Sequence, residues 1–231
     1  MKETRHHTII TGTGRSGTTF LVELLTRLGL ETGFHPGRLA IDKRAFAGLE
    51  RDIRKPNAPY IAKDPWGCKY LPKLLAKGKV VVDHAIVPVR DFDAAANSRS
   101  RVASLAQAHG KKQPNGGLWL TDNPEEQVTV LYEQFSALMA TLARFDVPVT
   151  LMWYPRLTRD SQYTYEKLRF LMPATSFDKF EDAFAATVKP ERVHKLSDAD
   201  GWSRSGQSLS HARTSSLLTR LSTSLRSRKS K

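Results

Sequence analysis

The residues with the clearest chemical potential lie between Thr8 and Phe34, in the stretch TIITGTGRSGTTFLVELLTRLGLETGF. A phosphate-binding loop runs G-x-x-x-x-G-K-[ST], with its amides and lysine cradling a polyphosphate. Here Gly12 and Gly17 enclose four residues and Thr18 and Thr19 follow, but no lysine stands after Gly17. A cation is present all the same: Arg15, two residues before the second glycine. A strand, a glycine-rich turn and a helix aim several free amides at one point, and the helix dipole favours an anion there. Gly14 and Ser16 complete the turn, while Thr18 and Thr19 add hydroxyls at the first helical residues. The dipole contributes about 0.3–1 kcal/mol and each charge-assisted hydrogen bond about 1.5–3 kcal/mol. The stretch therefore predicts a phosphate ligand. A tight turn beside a core helix is the plain alternative.

What the loop lacks is a lysine for terminal phosphates and an evident magnesium ligand. Val80 to Asp83 could pass for the acid-ended strand of a nucleotide hydrolase. The apolar run continues through HAIVPVR, however, which leaves Asp83 in mid-strand and puts Arg90 at the carboxyl end. Open α/β sheets bind ligands beyond those carboxyl ends.

The elements that must position these groups alternate. HTIITGTG, PYIAKDP, KVVVDHAIVPVRD and VPVTLMWY read as strands, the third with so little polar alternation that it predicts the buried centre of a parallel sheet. TTFLVELLTRLGL carries an apolar stripe at Phe20, Leu21, Leu24, Leu25 and Leu28, the mark of a helix with one buried face. Further helices are expected at GCKYLPKLLAKG, FDAAANSRSRVASLAQAHG, EEQVTVLYEQFSALMATLARF, SQYTYEKLRFLM and SFDKFEDAFAATV. Asn123, Pro124 and Glu126 mark the start of the fourth of these six helices with a cap, a first-turn proline and a glutamate reaching back. Strands alternating with helices predict a three-layer α/β domain around a central parallel sheet, spanning about residues 1–200.

Composition is that of a globular chain: 231 residues, 40% hydrophobic and 26% charged. No apolar run reaches the roughly 18 residues that span a bilayer, and MKETRHHTII has no signal-peptide core. A single cysteine, Cys68, excludes an internal disulfide and cysteine-rich zinc sites and fits a reducing cytoplasm. Seven basic residues and no acid lie from Gly201 onward, so just over half of the +13 net charge falls on residues 201–231. That tail reads as disordered and solvated. Leu217, Leu218, Leu221 and Leu225 also allow a short basic amphipathic helix with weak affinity for a membrane surface. Aromatic and basic residues are not interleaved as in nucleic-acid modules, and no nucleic-acid partner is expected.

Set on this frame, GRSGTTFL after a strand resembles the 5′-phosphosulfate loop of the sulfotransferases that use 3′-phosphoadenosine 5′-phosphosulfate (PAPS). In that family a Lys or Arg stands where Arg15 is. The family's second element is an arginine ending a central strand, with a serine eight residues on; Arg90 and Ser98 keep that spacing. Lys63-Asp64-Pro65 is similar to the Lys-[Ser/Thr]-Pro of carbohydrate sulfotransferases of the heparan-modifying type, with the aspartate as a departure. The resemblance covers about residues 8–100. The glycine-rich cofactor loop that cytosolic animal members carry near the C-terminus is not seen.

The resemblance implies a P-loop NTPase-like sulfotransferase fold with PAPS as sulfuryl donor, no metal, and a hydroxyl or amine acceptor on a carbohydrate or small molecule. Gly14, Arg15, Ser16, Gly17, Thr18 and Thr19 would hold the 5′ end of the donor, and Arg90 and Ser98 its 3′-phosphate. Sulfate carries one charge fewer than a terminal phosphate, so fixed cations can take the place of magnesium. Arg15 and Lys63 would stabilise the departing 5′-phosphate, worth on the order of 10²–10³ in rate per donor. The general base is expected to be Asp64, at a strand end, or His35, with Glu31 also in place; turn and cap roles are the alternatives for each. Trp66 and Trp119 would stack on adenine or acceptor, or pack in the core. The acceptor pocket is expected between residues 29–60 and 110–123. Two other classes stay open: a kinase or hydrolase with a degenerate loop and magnesium on Asp83, and a non-catalytic basic binding protein.

Overall fold

Among the described residues four parallel strands form the sheet, in the order β2-β1-β3-β4: β1 (Arg5–Ile10), β2 (Ile61–Lys63), β3 (Val80–Val89) and β4 (Val149–Trp153). The α-helices among the described residues are α1 (Thr18–Arg27), α2 (Gly67–Ala76), α3 (Phe92–Ala108), α4 (Gln127–Arg144), α5 (Ser161–Leu168) and α6 (Phe177–Thr187). The structure, a computed structural model, describes residues 4–42, 47–108 and 116–188. The basic tail at 201–231 and its leucine stripe lie outside the described residues, as does part of the 110–123 segment.

Both faces of the sheet are covered, because consecutive strand residues point to opposite sides. Ile9, Ala62, Ala85 and Val87 pack with Leu71 of α2, Ala95 and Ala96 of α3, and Leu131, Leu138 and Leu142 of α4. Ile10, Ile61, Ile86 and Met152 pack with Leu21, Leu24 and Leu25 of α1, Leu168 of α5 and Phe180 of α6. The near-continuous apolar run of β3 follows from this double burial. Each fully buried Leu or Ile contributes about 1.5–3 kcal/mol.

The chain runs from β1 outward to β2, then crosses back over β1 to reach β3. The order therefore reverses between β1 and β3, and open α/β sheets bind ligands at the carboxyl ends of such a switch point. β1 stops opposite Ile86, whereas β3 continues to Val89 and leaves room for the loop at residues 11–17. Asp83 is the fourth of ten residues in β3, at a bulge where His7 pairs with Val82 and Thr8 with His84. It bonds His6 Nδ1 at 2.8 Å and the Tyr60 hydroxyl at 3.3 Å. The expectation that this strand runs past Asp83 is met.

Differences from the sequence reading are local. β2 is only three residues long, since Pro59 cannot join the ladder. A short 3-10 turn, Pro124–Glu126, precedes α4; Asn123 caps it by accepting from the Glu125 amide, and Glu126 accepts from Asn123 Nδ2 at 3.3 Å. Among the described residues, no helix is long and apolar enough to cross a membrane.

Candidate active site

The loop between β1 and α1 is shaped by left-handed residues: Gly14 at φ 70°, Arg15 at φ 58° and Gly17 at φ 90°. Glycine bears that conformation without cost; Arg15 costs of order 1 kcal/mol or more and is held from outside. Its carbonyl accepts from an Arg90 terminal nitrogen at 3.0 Å, and its Nε donates to Ser98 Oγ at 3.0 Å. Gly17 caps α1 with no side-chain hydrogen bond, and no acidic residue occupies the first turn. Ser16 Oγ is fully buried with no hydrogen-bond partner among the described residues. An open helix N-terminus and an unsatisfied buried hydroxyl both suit an anion.

Gly17 is also sterically fixed. A Cβ there would lie 2.9 Å from Leu157 Cδ1 and 3.1 Å from the Tyr154 ring. We expect Gly17→Ala to cost about 1–3 kcal/mol in urea unfolding and to weaken anion binding. An unchanged unfolding midpoint would contradict this account of the loop.

Arg90, one residue beyond β3, is buried with its guanidinium 4.9 Å above the Tyr154 ring. Arg15 is pushed below the usual arginine range by burial first and by the nearby Arg90 charge second. Three of the expected donor-binding residues, Arg15, Arg90 and Ser98, thus meet in one network beyond the carboxyl ends of β1 and β3.

Lys63 ends β2 and is 3% exposed. Its ammonium donates to Thr19 Oγ1 at 2.9 Å, to the Gly48 carbonyl at 2.6 Å and to Glu50 Oε1 at 2.9 Å, so all three N–H donors are engaged. Burial lowers its pKa and the Glu50 carboxylate opposes that shift. Contact with Thr19 ties Lys63 to the first turn of α1. Glu50 carries no motif in the sequence and was not singled out there. Its neighbourhood is created by the 47–53 segment folding back along β2, where the Arg51 amide bonds the Lys63 carbonyl at 2.8 Å.

Asp64 is buried and acts as a junction. Its amide bonds the Ile10 carbonyl, its carbonyl accepts from Thr11 Oγ1, and its carboxylate accepts from the Trp66 amide and the Tyr70 hydroxyl. Burial pushes the carboxyl above the ordinary aspartate range, against the pull of those two donors. The folded chain therefore holds this proton to higher pH than the unfolded chain. The stabilisation from protonating Asp64 is complete below about pH 3.9, the unfolded value, and is lost as pH rises through the folded one. Asp64→Asn should flatten unfolding free energy against pH just above pH 4; an unaltered slope there would contradict the assignment.

His35 stands in an exposed turn, its Nδ1 accepting from the Gly37 amide at 3.2 Å. Glu31 is exposed and accepts from the Tyr60 amide at 3.4 Å. No described hydrogen bond joins either to Lys63 or the loop. Trp119 is buried and meets Trp66 edge-on at 5.3 Å, while Trp66 keeps 44% of its surface exposed.

The sequence reading missed Arg99. It is 6% exposed and donates to the carbonyls of Thr13, inside the loop, and of Gly117 at 2.7 Å. A signal existed: Ala95, Ala96, Arg99 and Val102 are the buried residues of α3 and follow helical spacing, so an arginine interrupts an apolar stripe.

No protein-family model and no curated protein matches this chain. Among solved structures, the sulfotransferase domain from the curacin biosynthetic pathway is similar, with a TM-score of 0.46 and 14% identity over 79% of this chain and 78% of that one. The loop, Arg90 and Lys63 stand on their own geometry.

Proposed function

We propose that this chain transfers a sulfuryl group from PAPS to a hydroxyl or amine of a carbohydrate or small molecule, in the cytoplasm and without a metal. The observation that carries the reading is the joining of Arg15, Arg90 and Ser98 beside an uncapped α1 N-terminus. That arrangement offers two cationic grips at neighbouring strand ends, fitting a nucleotide with phosphates at both 5′ and 3′ positions. Gly14 to Thr19 would hold the 5′-phosphosulfate, while Arg90 and Ser98 take the 3′-phosphate.

In the reaction, the acceptor oxygen or nitrogen forms a bond to sulfur as the bond from sulfur to the bridging oxygen breaks. The electron pair leaves on the 5′-phosphate of the product, 3′-phosphoadenosine 5′-phosphate (PAP). Arg15 and Lys63 stabilise that growing charge, Lys63 by exchanging its bond to Thr19 for one to the phosphate. The acceptor's proton passes to Glu50, which is half-exposed beside Lys63 and opens on a polar recess with Gly33, Arg51, Lys55 and Asn57. Asp64, with its oxygens held by Tyr70 and Trp66, better suits a positioning role, and His35 is the second candidate base.

Isothermal titration tests the reading. PAP should bind in EDTA with an affinity that magnesium leaves unchanged and at least tenfold above that of 5′-AMP. No heat from PAP, with binding of magnesium–ATP instead, would overturn it in favour of a nucleotide kinase or hydrolase.

A further inference from the structure

Arg99 touches both the loop at residues 11–17 and the segment that follows residue 115. Its two terminal nitrogens are divided between chain segments far apart in sequence: one bonds the Thr13 carbonyl, the other the Gly117 carbonyl. The loop backbone is seated directly on the guanidinium, because a Cβ on Gly14 would come 2.7 Å from an Arg99 nitrogen. On the other side the guanidinium lies 5.1 Å from the Trp119 ring centroid. Trp119 is locked in turn, its amide donating to Gln127 Oε1 at 2.6 Å and its carbonyl accepting from Gln127 Nε2 at 3.2 Å. Gly116, at φ 96°, lies against Arg15, with a Cβ position 3.3 Å from an Arg15 terminal nitrogen.

Among the described residues, no carboxylate forms an ion pair with Arg99. Among the described residues this buried cation meets two carbonyl dipoles and the Trp119 ring but no carboxylate, and an anion in the adjoining loop would supply negative charge. Burial and the neighbouring Arg15 charge push Arg99 down to about 10, in keeping with that lack. A rigid guanidinium fork can hold two carbonyls at once in fixed geometry, which a single ammonium does less well.

We infer that Arg99 is a positioning residue that couples the phosphate loop to the 116–121 segment, so that an anion in the loop tightens this segment over Arg15. The inference rests on reading the loop as an anion site, though not on the anion being PAPS. It gives the loop's occupancy a means of ordering the 116–121 segment.

Hydrogen exchange tests the coupling, with inorganic pyrophosphate and, separately, PAP as probes. In the native chain, saturation with either probe should slow exchange in the loop at 12–18 and also at 117–121, the latter by about tenfold. Arg99→Lys keeps the charge and should keep probe affinity within severalfold, yet lose most of the added protection at 117–121. Arg99→Met should lose all of it while the loop is still protected at saturation. Unfolding midpoints of the probe-free variants serve as the folding control, and the lysine variant alone decides the question should the methionine variant not fold. A merely structural Arg99 would lower the midpoint and leave the coupling intact. Full protection of 117–121 in Arg99→Lys overturns the inference, as does a native chain whose loop is protected while 117–121 is not. A native loop protected by neither probe overturns both the inference and the proposed function. Protection by pyrophosphate but not PAP overturns the proposed function alone.

Discussion

Arg90→Met should lower the affinity for PAP by about 100-fold or more while 5′-AMP loses only severalfold. The asymmetry follows from the two tasks of one guanidinium. Toward a 3′-phosphate it would offer a fork of two charge-assisted hydrogen bonds, each worth about 1.5–3 kcal/mol. Toward the protein it bonds the Arg15 carbonyl at 3.0 Å, which supports the left-handed turn of the loop. Losing the second task affects both nucleotides; losing the first affects only the one with a 3′-phosphate. Titration of both nucleotides into both proteins reads the difference. Equal losses for the two would confine Arg90 to holding the loop and remove the basis for choosing PAPS.

The second large effect concerns rate. Lys63→Met should slow sulfuryl transfer from PAPS to water, a reaction that needs no knowledge of the acceptor, by on the order of 10²–10³. Affinity for PAP should change less than tenfold, because in the proposed reaction Lys63 would act on charge that develops only as the leaving group departs. Methionine fills the buried volume but removes the ammonium from Thr19 Oγ1 and Glu50 and leaves the Gly48 carbonyl with the 3.5 Å bond from Thr19 Oγ1. Glu50 can recover water, as its side chain is 35% exposed. Unfolding midpoints therefore belong beside the rates. An unchanged rate in a folded variant would remove Lys63 from the chemistry.

Much of the fold was legible because its signals are local and mutually consistent. The run from His7 to Gly14 is β-branched then glycine-rich, Leu21, Leu24 and Leu25 keep helical spacing, and β3 is apolar almost throughout. That the sheet is parallel followed from alternation alone, whereas the order β2-β1-β3-β4 did not. Within the site, Arg15, Arg90 and Ser98 could be read because they sit at fixed offsets from glycine and from a strand end. Glu50 could not, since it reaches Lys63 only through a segment without periodicity that folds back along β2. Arg99 was overlooked for a different reason: in an alanine-rich helix with few large apolar residues the buried stripe is faint, and Arg99 lies on it. Asp64 was singled out by its place at a strand end, which could not show that its carboxylate accepts from the Tyr70 hydroxyl and the Trp66 amide.

The most direct measurement is a crystal structure of the chain with PAP bound. The account predicts the 3′-phosphate within hydrogen-bond distance of the Arg90 guanidinium and Ser98 Oγ, and the 5′-phosphate against Arg15, Ser16 and the first amides of α1. A nucleotide seated in the loop with Arg90 directed away from its ribose would contradict it.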